Sequence, residues 1–300
     1  MSVINATAIA HVAVEVADLD RAREFYAQIL GTPGPFTPAW DDAGAEACRL
    51  ASGQHLILVP SEKPRSFPDT GVHVAYRAAP KAIAGIVARA EAAGIAVHRY
   101  VEDRPAEVKD NVYLSDPDGN RVQIVADTVS ESAREGGIAG IDHAAVLVSD
   151  IEWADEFWVE ALGVPAVYRV GWNTGDFARA RAWGEGKEDM APGTRRWDQR
   201  YRDIPGGTPG QGRKVARPNP QLFLDFGGGK DGGPVLGIFL AQAHFQEPPP
   251  QQAHGTPRAA LHVADNCLDS VAAALTRAGG RVEGPVVHGS ESPVSRSLYL

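Results

Sequence analysis

The run Ile9-Ala-His-Val-Ala-Val-Glu-Val16 alternates, with Val12, Val14 and Val16 on one face and His11, Ala13 and Glu15 on the other. That is the period of a strand covered on one side. Behind it the period lengthens. Leu19, Ala22, Phe25, Tyr26, Ile29 and Leu30 fall on one helical stripe, Asp18 is a good N-cap, and Gly31 supplies the stop. Short apolar runs at 47–50 and 55–59 then read as strands, and the pattern predicts a unit of strand, helix and three strands. The order repeats from residue 72: a strand over 72–78, a helix over 81–93 with Gly94 behind it, and strands over 97–101, 112–114 and 121–125. Asp116-Pro117-Asp118-Gly119-Asn120 is a tight-turn sequence that should join the last two as a hairpin, with proline presetting φ and glycine free to take positive φ.

The opening pattern returns as Ile141-Asp-His-Ala-Ala-Val-Leu-Val148. One offset of 132 carries His11 to His143, Asp18 to Asp150, Phe25 to Phe157 and Gly31 to Gly163, so the chain contains an internal duplication. A weaker echo, Val72-His73-Val-Ala75 and Leu261-His262-Val-Ala264, places a histidine near the start of four strands. The expected architecture is α+β: two tandem domains of paired βαβββ units, residues 1–127 and 139–300, joined by a polar linker at 128–138. The two histidines stand 119 residues apart in the second copy against 62 in the first, which locates an insertion near 173–232. It carries Trp172, Trp183 and Trp197, and apolar side chains of that size suggest a lid over the second cavity or a dimer contact. Val112-Tyr113-Leu114 matches Leu298-Tyr299-Leu300, so the hairpin that follows Tyr113 has no counterpart in the second copy. The last hairpin is expected to be truncated.

Composition narrows the function classes. Three hundred residues suit two domains, and 44% hydrophobic with 22% charged residues lets each half bury a core. No apolar run approaches the ~20 residues that span a bilayer, and residues 1–20 carry no signal-peptide pattern, so a cytoplasmic protein without a membrane partner is expected. Cys48 and Cys267 lie in different halves and outside any C-x-x-C spacing, which supports neither a disulfide framework nor a zinc ribbon. A net charge of −9 argues against nucleic acid. Homo-oligomerisation is left open.

The histidines carry the candidate chemistry. His11 and His73 begin paired units, and two such units facing one another would direct both imidazoles into one cavity, as a divalent transition metal requires. A third ligand is expected from the closing strand, where Gln123 stands on the cavity face. An amide there is a neutral, weaker ligand than a carboxylate.

The segments "AHVAVEVADLDRAREFYAQILG" and "VYLSDPDGNRVQIV" and the histidine spacing resemble the vicinal oxygen chelate superfamily over nearly the whole chain. That superfamily includes glyoxalases, type I extradiol ring-cleaving dioxygenases and bleomycin-resistance-type binding proteins. The resemblance implies paired βαβββ units forming open barrels. Four units in tandem are similar in layout to the extradiol dioxygenases, which implies an enzyme acting on a catechol-like aromatic and O₂, with Fe(II) or Mn(II) as cofactor. Carried over by position, His143 and His262 would be metal ligands, Tyr299 the active-site tyrosine, and the acidic ligand would fall beyond Leu300. His288, ten residues before Leu298, is the counterpart of the proton donor, although the family pattern sets it closer. Two alternatives accompany this reading: a glyoxalase-like isomerase or lyase, which needs a further acid on the fourth strand of a unit, and a metal-free small-molecule binder.

Overall fold

β1 (Ala8–Val16) turns Val12, Val14 and Val16 inward against Phe25, Tyr26 and Leu30. Phe25 and Tyr26 come from the π-helical turn Phe25–Ile29 that prolongs helix α1 (Leu19–Glu24), and Leu30 is its C-cap. Asp18 caps the helix through its carboxylate, which accepts from Arg21 N at 3.1 Å. Gly31 ends it at φ 72°, and a Cβ there would meet Gly136 O at 2.6 Å, so the end of the linker approaches the first unit where only glycine fits. A meander of β2 (Phe36–Pro38), β3 (Glu46–Arg49) and β4 (His55–Pro60) follows, and β4 returns parallel to β1 with His55 opposite His11.

The computed structural model of the chain describes residues 4–40, 43–65, 72–100, 111–126, 136–148, 151–170, 221–227, 234–240, 257–290 and 292–300. Trp172, Trp183 and Trp197, with most of the 173–232 insertion and of the 128–138 linker, lie outside the described residues. The second unit consists of β5 (Val74–Ala78), helix α2 (Pro80–Ala92), β6 (His98–Tyr100), β7 (Asn111–Ser115) and β8 (Arg121–Ala126). Its expected hairpin forms between β7 and β8, closed by Gly119 N donating to Asp116 O at 3.1 Å with Gly119 at φ 88°. The third contains β9 (Ile138–Val148), helix α3 (Ile151–Asp155) with a π turn over Glu156–Ala161, β10 (Ala166–Val170), β11 (Gln221–Asp225) and β12 (Val235–Leu240). The fourth contains β13 (Arg258–His262), helix α4 (Leu268–Arg277), β14 (Glu283–Val287) and β15 (Arg296–Tyr299). The architecture is α+β, assembled from three βαβββ units and a fourth that shows βαββ.

In each of the first three units the first strand runs parallel to the fourth, β1 with β4, β5 with β8 and β9 with β12. One edge of every first strand is left over, and an open edge exposes unpaired backbone groups. Closure within each copy would pair units one and two. The chain closes differently: β5 pairs antiparallel with β9, and β1 with β13. An eight-stranded sheet therefore runs β10-β11-β12-β9-β5-β8-β7-β6 and a five-stranded one β13-β1-β4-β3-β2, with β14 and β15 as a separate hairpin. One cavity face belongs to units one and four, the other to units two and three. Gln54 ties the two sheets, its amide nitrogen donating to Ile9 O at 2.9 Å and Ile141 O at 3.2 Å and its oxygen accepting from Ile141 N at 2.6 Å.

Candidate functional site

Pairing across the copies redistributes the predicted site residues. His11 and His73, expected in one cavity, lie in different sheets. His73, at the entry to β5, faces His143 on β9 instead, Nε2 to Nε2 at 2.9 Å with the rings edge to face. The expected union of His143 with His262 does not form either. β13 is committed to β1, and His262 is exposed opposite Ala8, its Nδ1 2.9 Å from Thr7 Oγ1. The physical cause is the edge choice: whichever first strand completes β9 supplies the second imidazole, and that strand is β5.

A β-bulge sharpens this site. Ala75 is opposite His143 and Tyr76 opposite Ile141, so Asp142 is the extra residue between them. Its Oδ2 reaches His143 Nδ1 at 2.8 Å, and its Oδ1 accepts from Arg77 Nε at 2.9 Å. Burial alone would raise the Asp142 pKa, but the hydrogen bond and charge of His143, with those of Arg77, outweigh it and hold the carboxyl well below the usual range. An ionised carboxylate only accepts, so Nδ1 is the donor nitrogen of His143, and the neutral ring would present its Nε2 lone pair toward His73.

Gln123 completes the face. On β8 it stands opposite Ala75, which is itself opposite His143, and Tyr113 on β7 is its other neighbour. The side chain is 4% exposed and its Oε1 is buried without a hydrogen-bond partner among the described residues. Aromatic groups border the imidazoles: Tyr113 and Phe239 lie edge-on to His73 at 5.8 and 6.3 Å, and Phe223 contacts Phe239. Arg121 sits 4.8 Å over the Tyr113 ring.

His11, His288 and Tyr299 gather at the first cavity, the one on the face shared by units one and four. His288 Nε2 lies 2.7 Å from Ser297 Oγ, which donates to Tyr299 OH at 3.2 Å, and Arg258 stacks over Tyr299 at 5.9 Å. Arg258 Nε also donates to His11 Nε2 at 3.3 Å. The glycines ending α2 and α4, Gly94 and Gly279, both have positive φ and are 185 apart, and the same offset carries His73 to Arg258. An arginine therefore occupies in the fourth unit the place that histidine holds in the second. Those glycines were the available signal; the matching Leu-His-Val-Ala tetrapeptide lies four residues too late. Asp142, Tyr113, Phe223 and Phe239 carried no distinguishing signal beyond the acid next to His143. Among the described residues no three His, Cys, Asp or Glu side chains converge as metal ligands, so a metal at either cavity would need a different donor such as the Gln123 amide.

The glyoxalase-like domain family matches residues 11–125, the first two units. Over that stretch, 115 of the 300 residues, the chain is similar to this family. A putative dioxygenase from Bacillus subtilis shares this fold with a TM-score of 0.54 and 16% identity, covering 94% of this chain and 78% of that one. A variant of glyoxalase I from Zea mays aligns with a TM-score of 0.50 and 14% identity, over 94% of this chain and 86% of that one. At such identities the likeness shows the fold alone. No curated protein matches the sequence. No helix among the described residues is long and apolar enough to cross a membrane.

Proposed function

We propose that the cavity between units two and three holds a divalent transition metal on His73, His143 and Gln123, and that the chain is an extradiol-type ring-cleaving dioxygenase of small catechol-like aromatics. The supporting observation is the 2.9 Å approach of two Nε2 atoms beside a buried, unpartnered amide oxygen. Two imidazole nitrogens bound to one ion at about 2.0–2.1 Å and roughly at a right angle stand about 3 Å apart, which the pair already satisfies. Carboxylate-oriented histidine is a recurrent partner of bound metals, and Asp142 supplies that orientation. Fe(II) or Mn(II) suits two imidazoles and one oxygen with positions left open. When bound, such an ion would supply Lewis acidity toward the substrate oxygens and O₂.

The chain's own residues favour an anionic aromatic. Two imidazoles and an amide leave the charge of a divalent ion uncompensated, and a catecholate would offset it. Tyr113, Phe223 and Phe239 offer flat apolar contact and exclude water, while Arg121 adds positive charge on the same side. The glyoxalase-like isomerase or lyase reading is less well supported. It needs an acid from the fourth strand, and on β12 the positions opposite and beyond His143 on that face are Val235, Gly237 and Phe239.

The test is turnover of a series of catechols by protein purified anaerobically and reloaded with Fe(II) or Mn(II). Expected is O₂ consumption that matches the appearance of a ring-opened chromophore and disappears in His143→Ala. Bound metal without turnover of any catechol would refute the oxygenase assignment, and absence of metal binding would favour a small-molecule binder.

A further inference from the structure

The first cavity presents donors where the second presents acceptors. Arg258 cannot accept a hydrogen bond, so the His11 Nε2 that faces its Nε at 3.3 Å must carry a lone pair, and the His11 proton resides on Nδ1. That Nδ1 is buried with no partner among the described residues, on a side chain only 4% exposed. Burial first, then the neighbouring Arg258 guanidinium with smaller contributions from His55 and His288, pushes the His11 pKa down to about 3, so the ring stays neutral and the tautomer stands near neutral pH. A second orphan lies beside it. The Trp40 ring is edge-on to His11 at 5.6 Å and to His55 at 5.0 Å, and its Nε1, a donor only, is also buried with no partner among the described residues. Trp40 packs with Ala13, which shares the His11 face of β1, so both side chains stand on that face of the sheet.

We propose that the cavity between units one and four is a binding site for a small aromatic carboxylate, with Arg258, His11 Nδ1–H and Trp40 Nε1–H as its donors. Replacing the second imidazole by a guanidinium repels a metal ion and attracts an anion. Unsatisfied buried N–H groups are costly, and an oxyanion that accepts from them removes the cost. The rings of Trp40 and Tyr299, the latter under Arg258, flank the carboxylate donors with flat apolar surface. This site is independent of the metal proposed for the other cavity.

Calorimetric titration of the full chain with benzoate, and with benzamide as its neutral isostere, tests the assignment. Expected is binding of benzoate and none of benzamide. Arg258→Met should weaken benzoate at least about tenfold, as loss of a hydrogen bond to a charged group does. Trp40→Phe keeps the ring and removes one donor, and should weaken it several-fold even if the Arg258 variant fails to fold. His143→Ala should leave it unchanged. Equal affinity for benzamide, or benzoate binding abolished by His143→Ala and retained in Trp40→Phe, would overturn the proposal.

Discussion

Asp142→Asn is the perturbation that separates an orienting carboxylate from a merely structural one. The carboxylate accepts from His143 Nδ1 at 2.8 Å and from Arg77 Nε at 2.9 Å, with 19% of its side chain exposed. An amide keeps one acceptor oxygen and gains two donors, so as long as His143 keeps its Nδ1 proton it can accept from one of the two partners but not both. Hydrogen bonds to charged groups contribute about 1.5–3 kcal/mol each, so loss of one predicts a stability decrease of about 1–3 kcal/mol. The effect on the site is more specific. If the amide turns its NH₂ to His143, the imidazole moves its proton to Nε2 and the lone pair that faces His73 is lost. Removing such a partner typically lowers metal affinity about 10–100-fold. Competition of Mn(II) against a chromophoric chelator measures the affinity, and urea unfolding of the same preparation measures the stability. Asp142→Asn protein that is destabilised yet binds Mn(II) within about twofold of the wild type would refute the orienting role. Unchanged stability with weakened metal would show that the Arg77 bond contributes little.

Glu15 is fully buried and held by Arg65, whose Nη2 and Nε donate to Oε1 at 2.6 and 3.0 Å and whose backbone N donates to Oε2 at 2.8 Å. Glu15→Ala leaves the guanidinium uncompensated and is expected to cost about 3–5 kcal/mol in a denaturant titration; a loss below about 1 kcal/mol would show that water replaces the carboxylate. His11 supplies a pH signature. Its folded pKa of about 3 lies below the ordinary 6.5, so between those values the unfolded chain binds more protons and stability rises with pH. Acidifying from pH 7 to 5 should therefore destabilise the wild type by up to about 1.4 kcal/mol per unit below 6.5, and His11→Phe should flatten that slope; identical slopes would contradict a buried neutral imidazole.

Strand and helix periods made the units legible because each has one buried face: the valines of β1 and the Leu19-to-Leu30 stripe lie where alternation and helical period require. The Asp116–Asn120 turn was equally legible, since its proline and glycine carry local backbone preferences. Partner choice was not. All four first strands offer an equivalent free edge, and nothing in an alternating apolar run states whether β5 or β13 completes β1. The candidate site inherits this ambiguity. Residue types at the strand starts were readable, but which imidazoles meet depends on the closure, and so His143 finds His73 and not His262. Arg258 was obscured for a related reason: the Leu261-His262-Val263-Ala264 likeness to Val72–Ala75 is a local match, while the helix-ending glycines set the true register. The bulge that turns Asp142 toward His143 arises from pairing and has no sequence signature.

Mn(II) binding to the anaerobically purified full chain and to His11→Ala, His73→Ala, His143→Ala and His262→Ala tests the cross-copy site most directly. The account predicts one ion per wild-type chain, loss of binding with His73→Ala and with His143→Ala, and wild-type binding in His11→Ala and His262→Ala. Binding that survives His73→Ala but is lost in His262→Ala, or a wild-type chain that takes up no Mn(II), would contradict it.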